Sequence, residues 1–342
     1  MSDQLSDQLS DHLSDQLIPA FSRQRYTWVD AALLLAAVLT FFFGQYYLAL
    51  AALAVIMIIF ALSLDLAQGY GGIETLGHAA FFGTGAYAAA LYALHVSPEP
   101  LSGLLVGALA AALIGLVSGF AILRTHGLTQ LMLTLAVATL LYELANVMKS
   151  VTNGDDGLTG YEIWPLLGIF PFDIFGKTAF VYACAVLALL YALLKRLVNA
   201  NMGLTAQGIR ENRVRMRMLG VRVERRLWLL YTISAAVAGV AGALSAQINR
   251  IVGLDTLVFM LSANVVVMLA LGGLGRLYGA FFGAIIFVVL SDRAAALDPT
   301  NWLAALGVVL ILVVRYAPQG VAGWVMGGQF KGRHKNRQEQ GS

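Results

Sequence analysis

Residues 69–85 read GYGGIETLGHAAFFGTG, and the fold turns on what this stretch does inside a chain otherwise made of long apolar runs. Six of its seventeen residues are glycine, and it carries Glu74, Thr75 and His78. Each glycine weakens a helix by roughly 1 kcal/mol relative to alanine. Lipid still demands that every backbone donor and acceptor be satisfied, so irregular backbone survives at membrane depth only where protein or a water-filled cavity covers it. The stretch is therefore expected to be an interrupted, protein-buried segment bordering a polar pathway.

The rest of the chain sets the class. Of 342 residues, 59% are hydrophobic and 12% charged, against about 25% charged in an ordinary soluble domain. A soluble core has no use for so much apolar surface, so the expected fold is all-α, a polytopic transmembrane helical bundle with Gly-interrupted segments. The net charge is +3 and the pI about 9.0, but the basic residues gather in loops, which points to membrane lipid and not to nucleic acid. Cys184 is the only cysteine, which excludes an intrachain disulfide and a cysteine-based metal cluster.

A bilayer core takes about 20 apolar residues per helix. On that length the spans fall near 28–43, 46–66, 76–94, 101–123, 127–148, 178–196, 228–248, 257–273, 277–291 and 301–316, about ten in all, with 28–43 and 277–291 short for a full crossing. The loop from Lys195 to Arg226 holds nine basic residues against Glu211 and Glu224. Lys331, Arg333, Lys335 and Arg337 follow in the C-terminal tail, and Arg23 and Arg25 flank the first span. By the positive-inside rule all three regions face the cytoplasm, termini included. Residues 149–177, with Asp155, Asp156, Glu162 and Asp173, then lie outside. The N-terminal repeat SDQL-SDQL-SDHL-SDQL spaces Asp3, Asp7, Asp11 and Asp15 four apart. Like charges at that spacing repel, so a disordered or marginally helical tail is expected, and it lacks the pattern of a secretory signal.

An internal echo accompanies the glycine-rich stretch. Gly71-Gly72-Ile73 precedes Ala80-Phe81-Phe82-Gly83, and Gly272-Gly273-Leu274 precedes Ala280-Phe281-Phe282-Gly283. Matching interrupted segments in two halves point to a transport pathway, although close helix packing uses the same small residues. Ser234 to Gly242 and the Gly279/Gly283 pair are read as packing faces. Gly176-Lys177-Thr178 lacks the glycine a phosphate loop needs, Pro171 standing there, and Gly83-Thr84-Gly85 follows no strand. No His/Glu pair has zinc-site spacing and no Ser/His/Asp set is placed to make a nucleophile. No catalytic or metal residue is expected, and ATP chemistry would have to come from a partner.

The loop from Gly203 to Gly220 reads GLTAQGIRENRVRMRMLG. Ile209 and Met216 are seven apart, so one helix would set them on one side with Arg210 and Arg217 beside them. Such a helix either lies on anionic lipid or docks into a groove of a cytoplasmic ATPase. The loop's length favours docking, because a simple connection needs far fewer residues.

The pieces LGHAAFFGTGAYAAA, TNGDDGLTG, GIREN followed by Gly220, ISAAVAGVAGALSA and LALGGLGRLYGAFFGA resemble the permease subunits of branched-chain amino-acid ABC importers, the longer of the two paired types, over roughly residues 28–325. The resemblance implies a 1–27 polar tail, a 28–325 transmembrane permease domain with a cytoplasmic coupling loop at 195–227, and a 326–342 basic tail. It implies a second related permease, two cytoplasmic ATPase subunits that use ATP and magnesium, and a periplasmic solute-binding protein. No cofactor would be bound by this chain, and its place would be the bacterial inner membrane. The coupling helix maps to Ile209, Arg210, Glu211, Asn212 and Gly220, and the substrate path to Gly72, Thr75, Leu76, Gly77, His78 and Phe81. The chain departs from the family at Glu74, where a small polar residue is usual, and at Asp65, where an amide is common. Arg215 and Met216 replace a small pair. Asp65 and Glu74 either pair structurally with Arg124 or His126, or line the path and tune selectivity. His78 is read first as a hydrogen-bonded packing residue and second as a proton relay. Glu143 and Asn146 are placed at the outer end of their span, and Gly154-Asp155-Asp156-Gly157 as a turn before a contact for the binding protein. The competing functions are a urea or short-amide importer, an ion-coupled secondary transporter with Asp65 or Glu74 carrying the proton, and a non-transporting scaffold.

Overall fold

The computed structural model describes residues 47–166, 170, 176–297 and the isolated positions 304, 307, 311 and 315. The expected span 28–43, most of 301–316, both tails and Asp173 lie outside the described residues. Within them the chain is helical: α1 (Leu48–Leu64), α2 (Ala79–His95), α3 (Pro100–Ile122), α4 (Leu128–Val147), a single turn α5 (Lys149–Thr152), α6 (Lys177–Asn199), α7 (Asn201–Glu211), α8 (Arg213–Met218), α9 (Val223–Asn249), α10 (Phe259–Gly272) and α11 (Leu277–Leu297). Six of these are long and apolar enough to cross a membrane, α1 being counted with its extension to Tyr70. At 17 residues, α2 sits at the lower edge of that length. The helix expected over 277–291 runs on to Leu297, for 21 residues. Ser291, Asp292 and Arg293 therefore do not end it, and the alanines after them are strong helix formers.

Two helices form the centre. The apolar windows of α1 and α9 are each 67% buried, against 22% for α4, so α4 is left to face lipid or a partner. Small residues decide how closely the helices approach. Gly85 of α2 lies against the backbone of Gly239 of α9, and Gly107 of α3 lies against Ala243 and the Gly85 carbonyl. Gly279 and Gly283 of α11 do the same against α10, beneath the carbonyls of Gly273 and Met268. On the opposite side of α3, Leu105, Leu109, Leu113, Val117 and Phe120 point outward as a lipid-facing row.

The two ends of the bundle differ. One end gathers the turns at 71–78, 123–127, 200–222 and 273–276, with most of the described arginines. The other end carries TNGDDGLTG. There Asn153, Gly154, Gly157 and Gly160 all have positive φ, Gly154–Asp156 is a short 3-10 turn, and Asp155 and Asp156 are exposed. This end also holds an element that an all-α reading did not include, an antiparallel pair of β1 (Leu158–Thr159) and β2 (Ile251–Val252). The Tyr161 hydroxyl donates to the Ala246 carbonyl at 2.8 Å, and Gln247 bridges the Tyr182 hydroxyl and the Pro100 carbonyl, each at 2.8 Å. Buried polar groups are thereby satisfied where loops cap the helices.

Candidate functional site

The glycine-rich stretch is interrupted and buried, and the interruption opens four residues earlier than its first glycine. Asp65–Tyr70 forms a π-helix in continuation of α1. The Gly71 amide reaches back five residues to Leu66 at 3.2 Å, and the Ile73 amide six residues to Ala67 at 3.0 Å. A single wide turn of this kind often marks a functional position. Gly72 then turns with φ +61, residues 73–77 run without regular structure, and α2 starts at Ala79.

Each residue of the expected path can now be placed. Thr75, His78 and Phe81 are buried, Gly72 and Leu76 partly so, and Glu74 is exposed. The Thr75 hydroxyl accepts from the Gly77 amide at 3.3 Å, and the Leu76 amide donates to Thr134 Oγ1 of α4 at 3.2 Å. Gly77 lies directly on the Thr134 backbone, where a Cβ would overlap the carbonyl. His78 stacks on Phe60 at 5.6 Å and meets the edge of Phe81 at 5.5 Å. Ser63 Oγ donates to the Phe60 carbonyl at 2.6 Å and lies 2.9 Å from His78 Nε2. The hydroxyl proton being spent, the ring must donate from Nε2, a tautomer assigned from the network. His78 Nδ1 has no partner among the described residues. The ring is thus held by one hydrogen bond and two ring contacts. The Ala79 amide is capped by Ser262 Oγ of α10 at 2.8 Å.

Asp65 and Glu74 make neither of the pairings weighed for them. Arg124 lies over the Phe120 ring at 4.0 Å, and His126 Nδ1 is held by Arg213. Asp65 is fully buried and its Oδ1 accepts from the Gly275 amide at 2.7 Å. That bond joins the two echoed segments, since Gly273 and Gly275 form the second turn, with φ +105 and +78. Glu74 sits close enough to Arg213 to attract it electrostatically.

The loop expected to couple to an ATPase is a pair of helices, α7 and α8, and not one helix. Asn212 leaves helical conformation at φ −155 and its side chain caps α8 by accepting from the Arg215 amide at 2.9 Å. An asparagine followed by helix-forming residues is a good start signal, and it breaks the run that would have joined Ile209 to Met216. The two residues still meet the bundle from separate helices, Met216 packing on Gly208. Ile209 is fully buried in the core, so it seats the hairpin. Arg210 bonds the Gly69 carbonyl, and Arg213 Nη2 donates to the Gly72 carbonyl at 3.3 Å. Glu211, Asn212 and Gly220 are exposed, and Gly220 turns the chain with φ +81. The outward apolar residues are ones the sequence reading did not name: Val214 at 59%, Met218 at 82% and Leu219 at 71% exposure. Their four-residue spacing on a short basic helix was the available sign.

His126 supplies a pH-sensitive contact in this hairpin. Partial burial first, and the Arg213 and Arg217 guanidinium groups next, hold His126 below its ordinary value. The folded state thus favours the neutral ring, so its contribution is present above the unfolded value of about 6.5 and is lost as pH falls from there through the folded value. Hydrogen exchange of the 209–218 amides, corrected for intrinsic rates, is expected to show weaker protection at about pH 5.5 than at about pH 7.5, with His126→Gln flattening the difference. Equal losses in both proteins would remove His126 as the cause.

A cavity of about 280 Å³ lies between α1, α10 and α11, with Asn264, Ser291 and Asp292 as its polar lining. None of the residues from Gly72 to Phe81 borders it. Among the described residues no group of three or more His, Cys, Asp or Glu could hold a metal ion.

A multi-pass helical membrane protein, broken at matching places and clasped at one end by a basic helical hairpin, has the build of a transport permease. The chain belongs to the branched-chain amino acid transport system / permease component family, whose profile matches residues 46–314. It is 28% identical over 312 residues to the high-affinity branched-chain amino acid transport system permease protein LivM of Escherichia coli K12, covering 85% of this chain and 73% of that protein. The LivM of Salmonella typhimurium is 27% identical over the same shares. The permease protein LivH of Salmonella typhimurium is 30% identical over 129 residues, 36% of this chain and 40% of LivH. No solved structure matches.

Proposed function

We propose that the chain is the permease subunit of an ATP-driven importer that moves a branched-chain or similar amino acid into the cytoplasm. Membership of the family, over most of the chain, is the observation that carries this reading. Similarity to both LivM and LivH supports pairing with a second, related permease. Two cytoplasmic ATPases would hold the ATP and magnesium, and a periplasmic binding protein would deliver solute to the end built from TNGDDGLTG and the strand pair. The arginine-rich end is the cytoplasmic one by the positive-inside rule, which puts both termini inside the bacterial inner membrane's cytoplasmic face and gives about ten spans. Glu211, Asn212 and Gly220, with the outward Val214, Met218 and Leu219, form the face the ATPase meets. Gly72, Thr75, Leu76, Gly77, His78 and Phe81 shape the path by fixing the broken segment, with Asp65 and Glu74 at its inner mouth.

The test is purification of the tagged chain from native membranes, followed by reconstitution with its co-purifying subunits and binding protein. Uptake of labelled leucine, isoleucine and valine is expected only with ATP inside, and preference for urea would move the substrate class. Uptake by the chain alone under a pH gradient would overturn the reading in favour of an ion-coupled carrier.

A further inference from the structure

The geometry points to Asp65 and Arg210 as positioning residues that tie the cytoplasmic hairpin to both chain breaks at once, so that the two breaks move together when the hairpin moves. This rests on the importer reading above. Three links converge at one place. Arg210 of α7 donates to the Gly69 carbonyl inside the π-helix, and its Nη1 comes within 2.8 Å of where a Gly275 Cβ would stand. Asp65, at the head of that π-helix, accepts from the Gly275 amide at 2.7 Å. Arg213 of α8 donates to the Gly72 carbonyl at 3.3 Å. The hairpin thus holds the first break by two carbonyls, and the first break holds the second through a carboxylate.

The chemistry of these contacts suits transmission better than static bracing. The Gly69 carbonyl lies in the π-helical continuation of α1 and accepts from Arg210, so a pull on it is a pull on the irregular end of that helix. Arg210 is exposed while Asp65 is fully buried, so the link runs from the surface inward. Gly69 is required by space, since a Cβ there would overlap Asp65 Oδ1 and stand 2.7 Å from the Gly275 nitrogen, and Gly275 is favoured by its φ of +78. Asp65 Oδ2 has no hydrogen-bond partner among the described residues, and the neighbouring positive charge is Arg210. No ion pair joins Asp65 to Arg210 directly; they act on the two sides of the Gly69–Gly275 contact. The arginine thus faces the breaks and not the ATPase.

The experiment measures ATP hydrolysed per solute imported by the complete reconstituted complex, with co-purification of the ATPases as a second readout. Arg210→Met keeps the stem and removes the donors, and is expected to raise the ratio about tenfold with the ATPases still attached. Arg210→Lys, whose ammonium can still donate to the Gly69 carbonyl, is expected to recover most of the coupling. Asp65→Leu should uncouple as Arg210→Met does, and the double variant should be no worse than the worse single, as for residues in one linkage. Should Asp65→Leu fail to fold, Asp65→Ala carries the test, because it too removes the acceptor of the Gly275 amide and is expected to raise the ratio. Loss of the ATPases from Arg210→Met, an unchanged ratio in Arg210→Met or in the Asp65 variant, or multiplied effects in the double variant would each overturn the link. A parent complex with no ATP-driven uptake sinks the importer reading itself, which separates the two failures.

Discussion

Gly242→Leu is expected to give no monodisperse protein in detergent, while Gly208→Ala keeps a melting temperature close to the parent's. Gly242 sits where α9 crosses α2. A Cβ there would overlap the Phe82 carbonyl oxygen and stand 2.7 Å from its carbon and 3.0 Å from the Ala86 nitrogen. Backbone cannot step aside as a side chain can, so even alanine must separate the two helices. Overpacking of this kind costs about 1–3 kcal/mol in well-packed cores and more where only backbone can give. The same helices touch again at Gly85 and Gly239, so separating them at one point opens the next contact. At Gly208, by contrast, the nearest atom is Met216 Sδ at 3.0 Å, on a flexible side chain that can shift. Thermal melting of Gly242→Ala, followed by size-exclusion, is expected to fall between the two. A Gly242→Leu protein that elutes and melts like the parent would show that the α2–α9 seam is looser than its glycines imply.

That seam was legible in the sequence because small residues recurring in an apolar run have few other uses. Span positions were legible for the same reason: apolar length alone placed 101–123 and 178–196 within a few residues of α3 and α6. The end of α11 was not, since Asp292 and Arg293 look like the edge of a membrane yet remain helical. The strand pair β1–β2 escaped because two-residue strands have no periodicity to read; only the glycines of TNGDDGLTG hinted at the turns that bring it together.

The site was half legible. Glycine density announced a break, and the break is there. What it could not announce was the register: the π-turn begins at Asp65, inside an uninterrupted apolar run, and is set by Asp65 reaching Gly275, 210 residues away in sequence. Local pattern carries no information about a partner that distant. Thr134 and Ser262 are the same case, lone hydroxyls in apolar helices that turn out to cap the Leu76 and Ala79 amides. A polar group at membrane depth needs a partner, so the need was visible and the partner was not. In the hairpin, hydrophobic spacing put Ile209 and Met216 on one side of a single helix, and it overlooked that the Asn212 cap starts a second helix and turns α8 outward.

That turn leads to the second large effect. Met218→Asp with Leu219→Asp is expected to remove the ATPases from the purified complex and to abolish uptake, with the permease itself intact. Met218 and Leu219 are 82% and 71% exposed, so charging them disturbs no packing, and changes at such surface positions usually stay within about 0.5 kcal/mol of the parent's stability. Large apolar side chains presented at the end of a basic helix are, however, what a groove on a soluble partner can bury, and a few such anchors carry most of an interface, about 2 kcal/mol or more each. Two together would weaken the complex by roughly a thousandfold, well beyond what co-purification tolerates. The alternative is that α8 dips these residues into headgroups. Anionic lipid would then compensate through Arg215 and Arg217, the ATPases would stay bound, and the double variant would import as the parent does. Retained ATPases with full uptake would therefore assign this face to lipid and leave the partner's groove to be sought at Glu211 and Asn212.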